Sequence, residues 1–246
     1  MLKEPTIEKL QALRLGAMAA AWEEQQRSAD VLALSFDERF AMLVEAESYA
    51  RDNKRLKRVL KEAKLRISHA CVEDVQYAAR RELDKAVVRQ LATCRWVHEH
   101  QVVLISGATG TGKSYLACAL AHQACRQGFR ACYRRAPRFF DELRLARADG
   151  SYPRLLGRLA RVDVLVIDDF AISPLTDSER QDLLEVLEDR YATRATIITS
   201  QLDPTRWHDY LADPTTADAI CDRVMHAAHR VALKGPSKRK TDGATQ

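Results

Sequence analysis

Residues Val102-Val103-Leu104-Ile105-Ser106 form an apolar, β-branched run that empties into Gly107-Ala108-Thr109-Gly110-Thr111-Gly112-Lys113-Ser114. This pairing restricts the chain more than any other stretch, because a strand must deliver a turn whose glycines let consecutive backbone N–H groups converge on one anion. At such a turn Lys113 adds a point charge to the β/γ oxygens of a nucleoside triphosphate, and the Ser114 hydroxyl can ligate Mg²⁺. From Lys113 through Tyr115 to Ala121 the pattern is helical, so a positive helix N-terminus faces the same anion. Residues Gly107, Ala108, Thr109, Gly110, Thr111, Gly112, Lys113, Ser114 and Tyr115 are the candidate ATP contacts.

A second strand-like run, Val162 to Ile167, delivers Asp168 and Asp169 at its end. In a buried parallel strand these carboxylates emerge at the C-terminal edge of the sheet, where ligands of open α/β sheets bind. Asp168 then pairs with Ser114 as a Mg²⁺ ligand, usually through water, and Asp169 polarises an attacking water. A third run, Ala195 to Ile198, ends at Thr199-Ser200-Gln201, where a γ-phosphate sensor belongs, and Ser200 is the candidate contact. A helix from Asp177 to Tyr191 separates the last two strands, and a short strand Ala131-Cys132-Tyr133 follows the turn at Gly128. Repeated βαβ order with right-handed crossovers predicts an α/β fold with a doubly wound parallel sheet.

The 246 residues, 46% hydrophobic and 30% charged, suffice for one sizeable core and a smaller appended unit. The six cysteines form no C-x-x-C pair or zinc spacing, and read as small core residues in a reducing compartment. No apolar segment approaches the ~20 residues of a membrane span, and residues 1–5 lack a signal-peptide apolar region, so the expected location is cytoplasmic.

The first hundred residues are helical in pattern. Ile7, Leu10, Leu13, Ala17 and Ala21 predict one amphipathic helix ending near Ser28. Ser35-Phe36-Asp37-Glu38 fits a capping box opening a second helix, with Phe36, Phe40, Leu43 and Ala50 on one face. Its stripe continues through Leu56, Val59, Leu60, Ala63 and Ile67. Around that stripe Arg51, Lys54, Arg55, Lys57, Arg58, Lys61, Lys64 and Arg66 are opposed by Asp52 and Glu62. Lys54, Arg55, Lys57, Arg58 and Lys61 are candidate contacts to a DNA phosphate backbone, the alternatives being a solvated face or a subunit contact. The expected division is a helical domain over 1–70, a linker and helix over 71–100 with Tyr77 or Trp96 available to an adenine ring, a nucleotide-binding core over 101–234, and a tail over 235–246.

A second basic cluster includes Arg134, Arg135, Arg138, Arg144, Arg147, Arg154, Arg158 and Arg161, set against Asp141, Glu142 and Asp149. Arginine's planar fork suits phosphate contacts, so Arg134, Arg135, Arg138, Arg144 and Arg147 are DNA candidates. The alternative is that some bridge subunits or pair with the local acids.

The two nucleotide motifs, the polar strand end, Asp222-Arg223 and Ser237-Lys238-Arg239 together resemble an AAA+ ATPase of the initiator and helicase-loader branch. Within it, the stretches 119–125, Arg138-Phe139-Phe140-Asp141-Glu142-Leu143 and 146–152 resemble the IstB family, the ATP-dependent helpers of insertion-sequence transposases. The resemblance covers nearly the whole chain. It implies ATP and Mg²⁺ as cofactors, duplex DNA and the element's transposase as partners, and a homo-oligomer with ATP sites at subunit interfaces. It also implies a channel-facing helical insert around 134–161, Arg223 as an arginine finger acting on a neighbour's site with Arg190 as runner-up, and Arg239 as a second sensor. An internal salt bridge of Arg223 to Asp222 or Asp218 is the simpler alternative. Too few residues follow Leu233 for a multi-helix lid, so the lid is abbreviated or absent. Asp169 stands where the AAA+ pattern carries Glu, which implies slow basal hydrolysis that rises on DNA. The competing functions are a helicase loader that prefers single-stranded DNA, and a nucleotide-gated DNA scaffold with little hydrolysis.

Overall fold

A computed structural model describes residues 3–77 and 83–235. Five parallel strands form one sheet: β1 (Val102–Gly107), β2 (Ala131–Arg135), β3 (Val164–Phe170), β4 (Ala195–Ser200) and β5 (His229–Leu233), in the order β2-β3-β4-β1-β5. The apolar runs predicted β1, β3 and β4 because a parallel strand covered on both faces needs no polar side. In the structure β4 is buried at every position and β3 at all but Asp169. The short edge strand β5 is not among the predicted strands. Its residues alternate in burial rather than forming an apolar run, and only Val231 and Leu233 are buried.

The helices follow the same logic. Six consecutive crossover-helix positions, Leu116 to Ala121, with Ala124 and Cys125 one turn further on, are small or apolar and buried, so α7 (Lys113–Arg126) lies close against the sheet. Between β2 and β3 stands a helical pair, α8 (Ala136–Ala148) and α9 (Tyr152–Arg161), at the place expected for an inserted element. Helix α10 (Asp177–Arg190) starts in a capping box between Thr176 and Glu179. After β4 come a short turn over Pro204–Arg206, α11 (Trp207–Leu211) and α12 (Pro214–Met225). Before β1 lie α5 (Lys85–Ala92) and α6 (Arg95–His98). Trp96, one candidate for adenine contact, is instead core: it is buried and its Nε1 donates to the Leu91 carbonyl at 2.9 Å.

The N-terminal region departs from expectation in its helices. The single helix expected up to Ser28 is two, α1 (Lys3–Ala12) and α2 (Gly16–Gln25), separated at Arg14, whose φ of 60° is left-handed. A short α3 (Ala29–Leu32) precedes α4 (Phe36–Ala63). The Ser35 capping box is formed, with Glu38 Oε2 accepting from the Ser35 N–H at 2.9 Å and hydroxyl at 2.7 Å. The chain forms two compact units, with the boundary between Arg58 and Val59. Along α4, Val59 and Ala63 are buried, whereas Phe36 and Phe40 are exposed and stack on each other at 5.9 Å.

Within the first unit, Glu47 Oε2 accepts the Ala17 and Met18 N–H groups at 3.0 and 3.1 Å, satisfying the start of α2, while Arg51 holds the other oxygen at 2.8 Å. Those bonds, Arg51 first, hold the Glu47 carboxyl below the usual carboxylate range. No helix among the described residues is long and apolar enough to cross a membrane. The cysteines are unpaired, and burial pushes the Cys94, Cys118 and Cys125 thiols up to about 11. They behave as small apolar side chains.

Candidate active site

The turn after β1 is shaped by glycine. Gly107, Gly110 and Gly112 have φ of 148°, 84° and 100°, values that L side chains rarely adopt. A Cβ on Gly107 would also run into the Leu233 carbonyl at the end of β5. Lys113 begins α7, and its Nζ donates to the carbonyls of Gly107 at 2.6 Å and Ala108 at 2.9 Å. The Thr111 hydroxyl donates to the Ala108 carbonyl at 2.9 Å, closing the turn on itself. Thr109, Gly110, Gly112, Lys113, Ser114 and Tyr115 line one cavity with Asp169, Gln201 and Ile67.

Adjacent strand ends bring the carboxylates to this turn. Asp168 is fully buried. Its Oδ1 accepts from Ser114 at 2.9 Å and Thr199 at 2.5 Å, and its Oδ2 accepts from Tyr133 at 2.5 Å. Burial, then the Asp168 hydrogen bond, drives the Tyr133 pKa far above the phenol range, so Tyr133 remains a donor. The next residue is turned out of the strand alternation. Asp169 has φ of 61°, and the β3–β4 register shifts between Ile167 and Phe170. The irregularity aims a second carboxylate at the cavity from a strand that would otherwise point it away. Asp169 N–H donates to Thr199 Oγ1 at 3.0 Å, so one hydroxyl joins both acidic residues.

Two arginines close on Asp169. Arg135, from the end of β2, donates to Oδ2 at 2.8 Å. Arg66, three residues beyond α4, lies 3.4 Å from the same oxygen and 3.6 Å from Asp168 Oδ2. Tyr133 and Arg66 were not singled out for this site by sequence. Their contacts with the acids span 35 and 103 residues, and no local pattern encodes them.

Ser200 does not face the phosphate turn. Its buried hydroxyl donates to the Phe170 carbonyl and accepts the Leu202 N–H, both at 3.0 Å. Gln201 takes the cavity position, accepting from Thr109 at 2.8 Å. Strand alternation contained this signal, since Thr199 and Gln201 fall on one side and Ser200 on the other. Tyr115 meets the Cys71 carbonyl at 3.5 Å. Tyr77 is half-buried with Lys85 Nζ 5.7 Å above its ring. Arg239 lies outside the described residues.

Arg223 sits far from the phosphate turn of its own chain. It lines a cavity with Val102 and Thr196, residues at the starts of β1 and β4, whereas the turn leaves the other end of β1. It ion-pairs with Glu188, with Asp222 at 3.9 Å on its other side. The internal pairing considered from sequence therefore exists, with Glu188 as the nearer partner. Arg190 is unavailable as a finger: it is buried, and its guanidinium donates to the carbonyls of Leu159, Val162 and Ala195 and to Thr196 Oγ1.

The DNA candidates separate by environment. Lys54, Arg55, Lys57, Arg58 and Lys61 are exposed on α4, and Arg138 is exposed on α8. Arg144 is exposed and paired with Asp141 at 2.7 Å. Three others are committed within the chain. Arg134 is held by Glu142 at 2.7 Å, Arg135 by Asp169, and Arg147 by Asp182 while stacking 3.8 Å above the Tyr152 ring. Residues outside that candidate set form a further basic surface: Lys64, Arg130, Arg158 and Arg161 line a 410 Å³ cleft with Glu62 and Arg134.

The donor set suits a divalent cation bound with a polyphosphate. Ser114 and Asp168 offer hard oxygens 2.9 Å apart, and Mg²⁺ takes only one or two protein oxygens when phosphates and water complete its octahedron.

The sheet order, glycine turn and acidic strand end define a nucleotide-binding chain with a P-loop AAA+ fold. Solved structures with this fold include DnaI, with a TM-score of 0.58 and 20% identity over 72% of this chain and 94% of that one. The DnaC helicase loader matches with a TM-score of 0.56 and 19% identity over 67% and 97% of the two chains. More particularly, the chain belongs to the IstB-like ATP-binding protein family, whose model matches residues 8–245. An insertion-sequence ATP-binding protein of Sinorhizobium fredii is 45% identical over 98% of both chains. The ATP-binding protein of insertion sequence IS1162 from Pseudomonas fluorescens is 47% identical over 82% of this chain and 87% of that one.

Proposed function

We propose that this ATP-binding protein hydrolyses ATP, assembles on duplex DNA and assists the transposase of an insertion sequence in selecting target DNA. The observation that carries the hydrolytic reading is the convergence of Lys113, Ser114, Asp168 and Thr199 at neighbouring strand ends, with Asp169 facing the same cavity. In that reading the turn and Lys113 hold the triphosphate, and Ser114 and Asp168 hold Mg²⁺, which neutralises phosphate charge when bound. A water oxygen attacks the γ phosphorus, the β–γ bridging oxygen leaves with ADP, and Asp169 takes the proton released by the water.

Placement of Arg223 beside the starts of β1 and β4, at the opposite end of the strands from the phosphate turn, supports a shared site, in which each subunit completes its neighbour's. The exposed cations of α4 and of the α8–α9 pair favour a phosphate backbone. Few aromatics are interleaved with them, and stacking platforms typify single-strand binding. The insertion-sequence names of the relatives support the transposase as partner.

ATP turnover measured alone, with duplex DNA and with single-stranded DNA tests the reading, with ATP-loaded assemblies imaged on both. Slow turnover raised by duplex DNA, with ordered assemblies on the duplex, is expected. Equal turnover with and without duplex overturns DNA stimulation. Preference for single strands favours a helicase loader, and assembly without turnover favours a nucleotide-gated scaffold.

A further inference from the structure

We propose that Arg66 is a positioning residue that restrains Asp169 until DNA phosphates engage the basic cleft beside it. The inference rests on the ATPase reading above and adds to it a residue and a coupling route. Among the described residues, Arg66 is the side chain ion-paired with both carboxylates, 3.6 Å from Asp168 Oδ2 and 3.4 Å from Asp169 Oδ2. The two acids differ in what that contact does to them. Asp168 is already fixed by three hydroxyls, so Arg66 changes its position little. Asp169 has its side chain held by Arg135 and Arg66, both on Oδ2. With two guanidinium groups on one oxygen, the orientation of this carboxylate is set by those cations rather than by a water in the cavity.

The segment that carries Arg66 links this contact to a phosphate-binding surface. Helix α4 ends at the buried Ala63, and Lys64 follows with φ of 51°. Lys64 lines the 410 Å³ cleft with Arg130, Arg158 and Arg161, while Ile67, three residues later, lines the cavity of the phosphate turn. A single residue, Leu65, therefore separates the cationic cleft from the restraint on Asp169. Arg66 is 40% exposed in its side chain, so it can leave the carboxylates without unpacking a core. Phosphates drawing Lys64 toward the cleft carry Arg66 with it, and Asp169 is released toward the water.

The test compares Arg66→Ala, Arg66→Gln and Arg66→Lys with the parent chain and with Lys113→Ala, recording kcat and KM for ATP with and without duplex DNA. Nucleotide affinity and a circular-dichroism melt report folding. Expected is a basal kcat raised about threefold in the Ala and Gln variants, the rate equivalent of an exposed ion pair. KM should stay within about twofold, DNA stimulation should shrink by the same factor as the basal gain, and Arg66→Lys should restore much of the parent behaviour. A fallen kcat with the DNA ratio intact overturns the proposal, as does a KM raised tenfold, which would make Arg66 a phosphate ligand. If two of the three variants fail to fold, Arg66 is structural and the proposal also falls. Should the parent chain hydrolyse no faster than Lys113→Ala, the ATPase reading itself fails and the proposal with it. Unchanged basal rates and DNA ratios in folded variants overturn only the role of Arg66.

Discussion

The Thr199 hydroxyl donates to Asp168 Oδ1 at 2.5 Å while accepting the Asp169 N–H at 3.0 Å. One side-chain oxygen thereby fixes a carboxylate and the backbone of the acid beside it. Thr199→Val keeps the shape and removes both bonds at a buried site. Each buried group left unpaired costs about 1–3 kcal/mol. A lower melting temperature and a reduced kcat are expected, both largely recovered in Thr199→Ser. A valine variant with parental turnover would show that this bridge does not order the acids for hydrolysis.

Lys113 is the cation closest to the turn's carbonyls, and Ala at this position removes its charge from the phosphates. Lys113→Ala should abolish measurable ATP binding and, with it, ATP-dependent assembly on DNA. Filaments or rings that form in this variant as in the parent would separate assembly from nucleotide.

Arg223 cannot reach the phosphate turn that its own chain supplies. If it serves a neighbour, Arg223→Ala should retain nucleotide affinity while losing turnover, on the order of 10³-fold as for other arginine fingers. Mixing Arg223→Ala with Lys113→Ala should then restore part of the activity, because some interfaces pair an intact turn with an intact arginine. No recovery on mixing, with mixed assemblies demonstrated, would place Arg223 in a structural pair with Glu188.

The basic residues should divide in a salt titration. Loss of Arg138 or Lys57, both exposed, should lower the salt slope of duplex binding by about one phosphate contact each. Loss of Arg134 or Arg147, already held by Glu142 and Asp182, should leave that slope alone and lower thermal stability. The reverse pattern would relocate the DNA surface to the arginines paired in the free protein.

Glu47 supplies a pH dependence whose sign is fixed. Its folded pKa lies below the unfolded one, so its contribution is present above the ordinary carboxylate pKa and disappears as pH falls through the depressed value. Melts of the parent and Glu47→Gln should differ at neutral pH and converge as pH falls through the depressed carboxyl pKa. A gap that persists unchanged into acid would mean that the charge is not what caps α2.

What could be read from the residues was largely what is local. The β1 run and its glycines, the Asp168 strand end and the Ser35 capping box each carry their geometry within a few positions. The break at Arg14 was hidden because helical spacing continues across it, and β5 was hidden because an edge strand with alternating burial makes no apolar run. At the end of β4 the polar run Thr199-Ser200-Gln201 does not by itself distinguish its members, whereas period-two alternation sets Ser200 apart from Thr199 and Gln201. The restraints on Asp169 were beyond any local reading, since they depend on the paths of β2 and of the segment after α4.

Gly107 has a further consequence for defining the smallest working piece of this protein. Its missing side chain leaves room for the Leu233 carbonyl at the far end of the chain order. A fragment cut before His229 would retain the whole glycine turn, both strand-end acids and every crossover helix, yet lose the backbone against which the first residue of the turn is seated. Possession of the sequence motifs is therefore an insufficient criterion for a nucleotide-competent fragment, and boundaries chosen for expression should extend beyond Leu233.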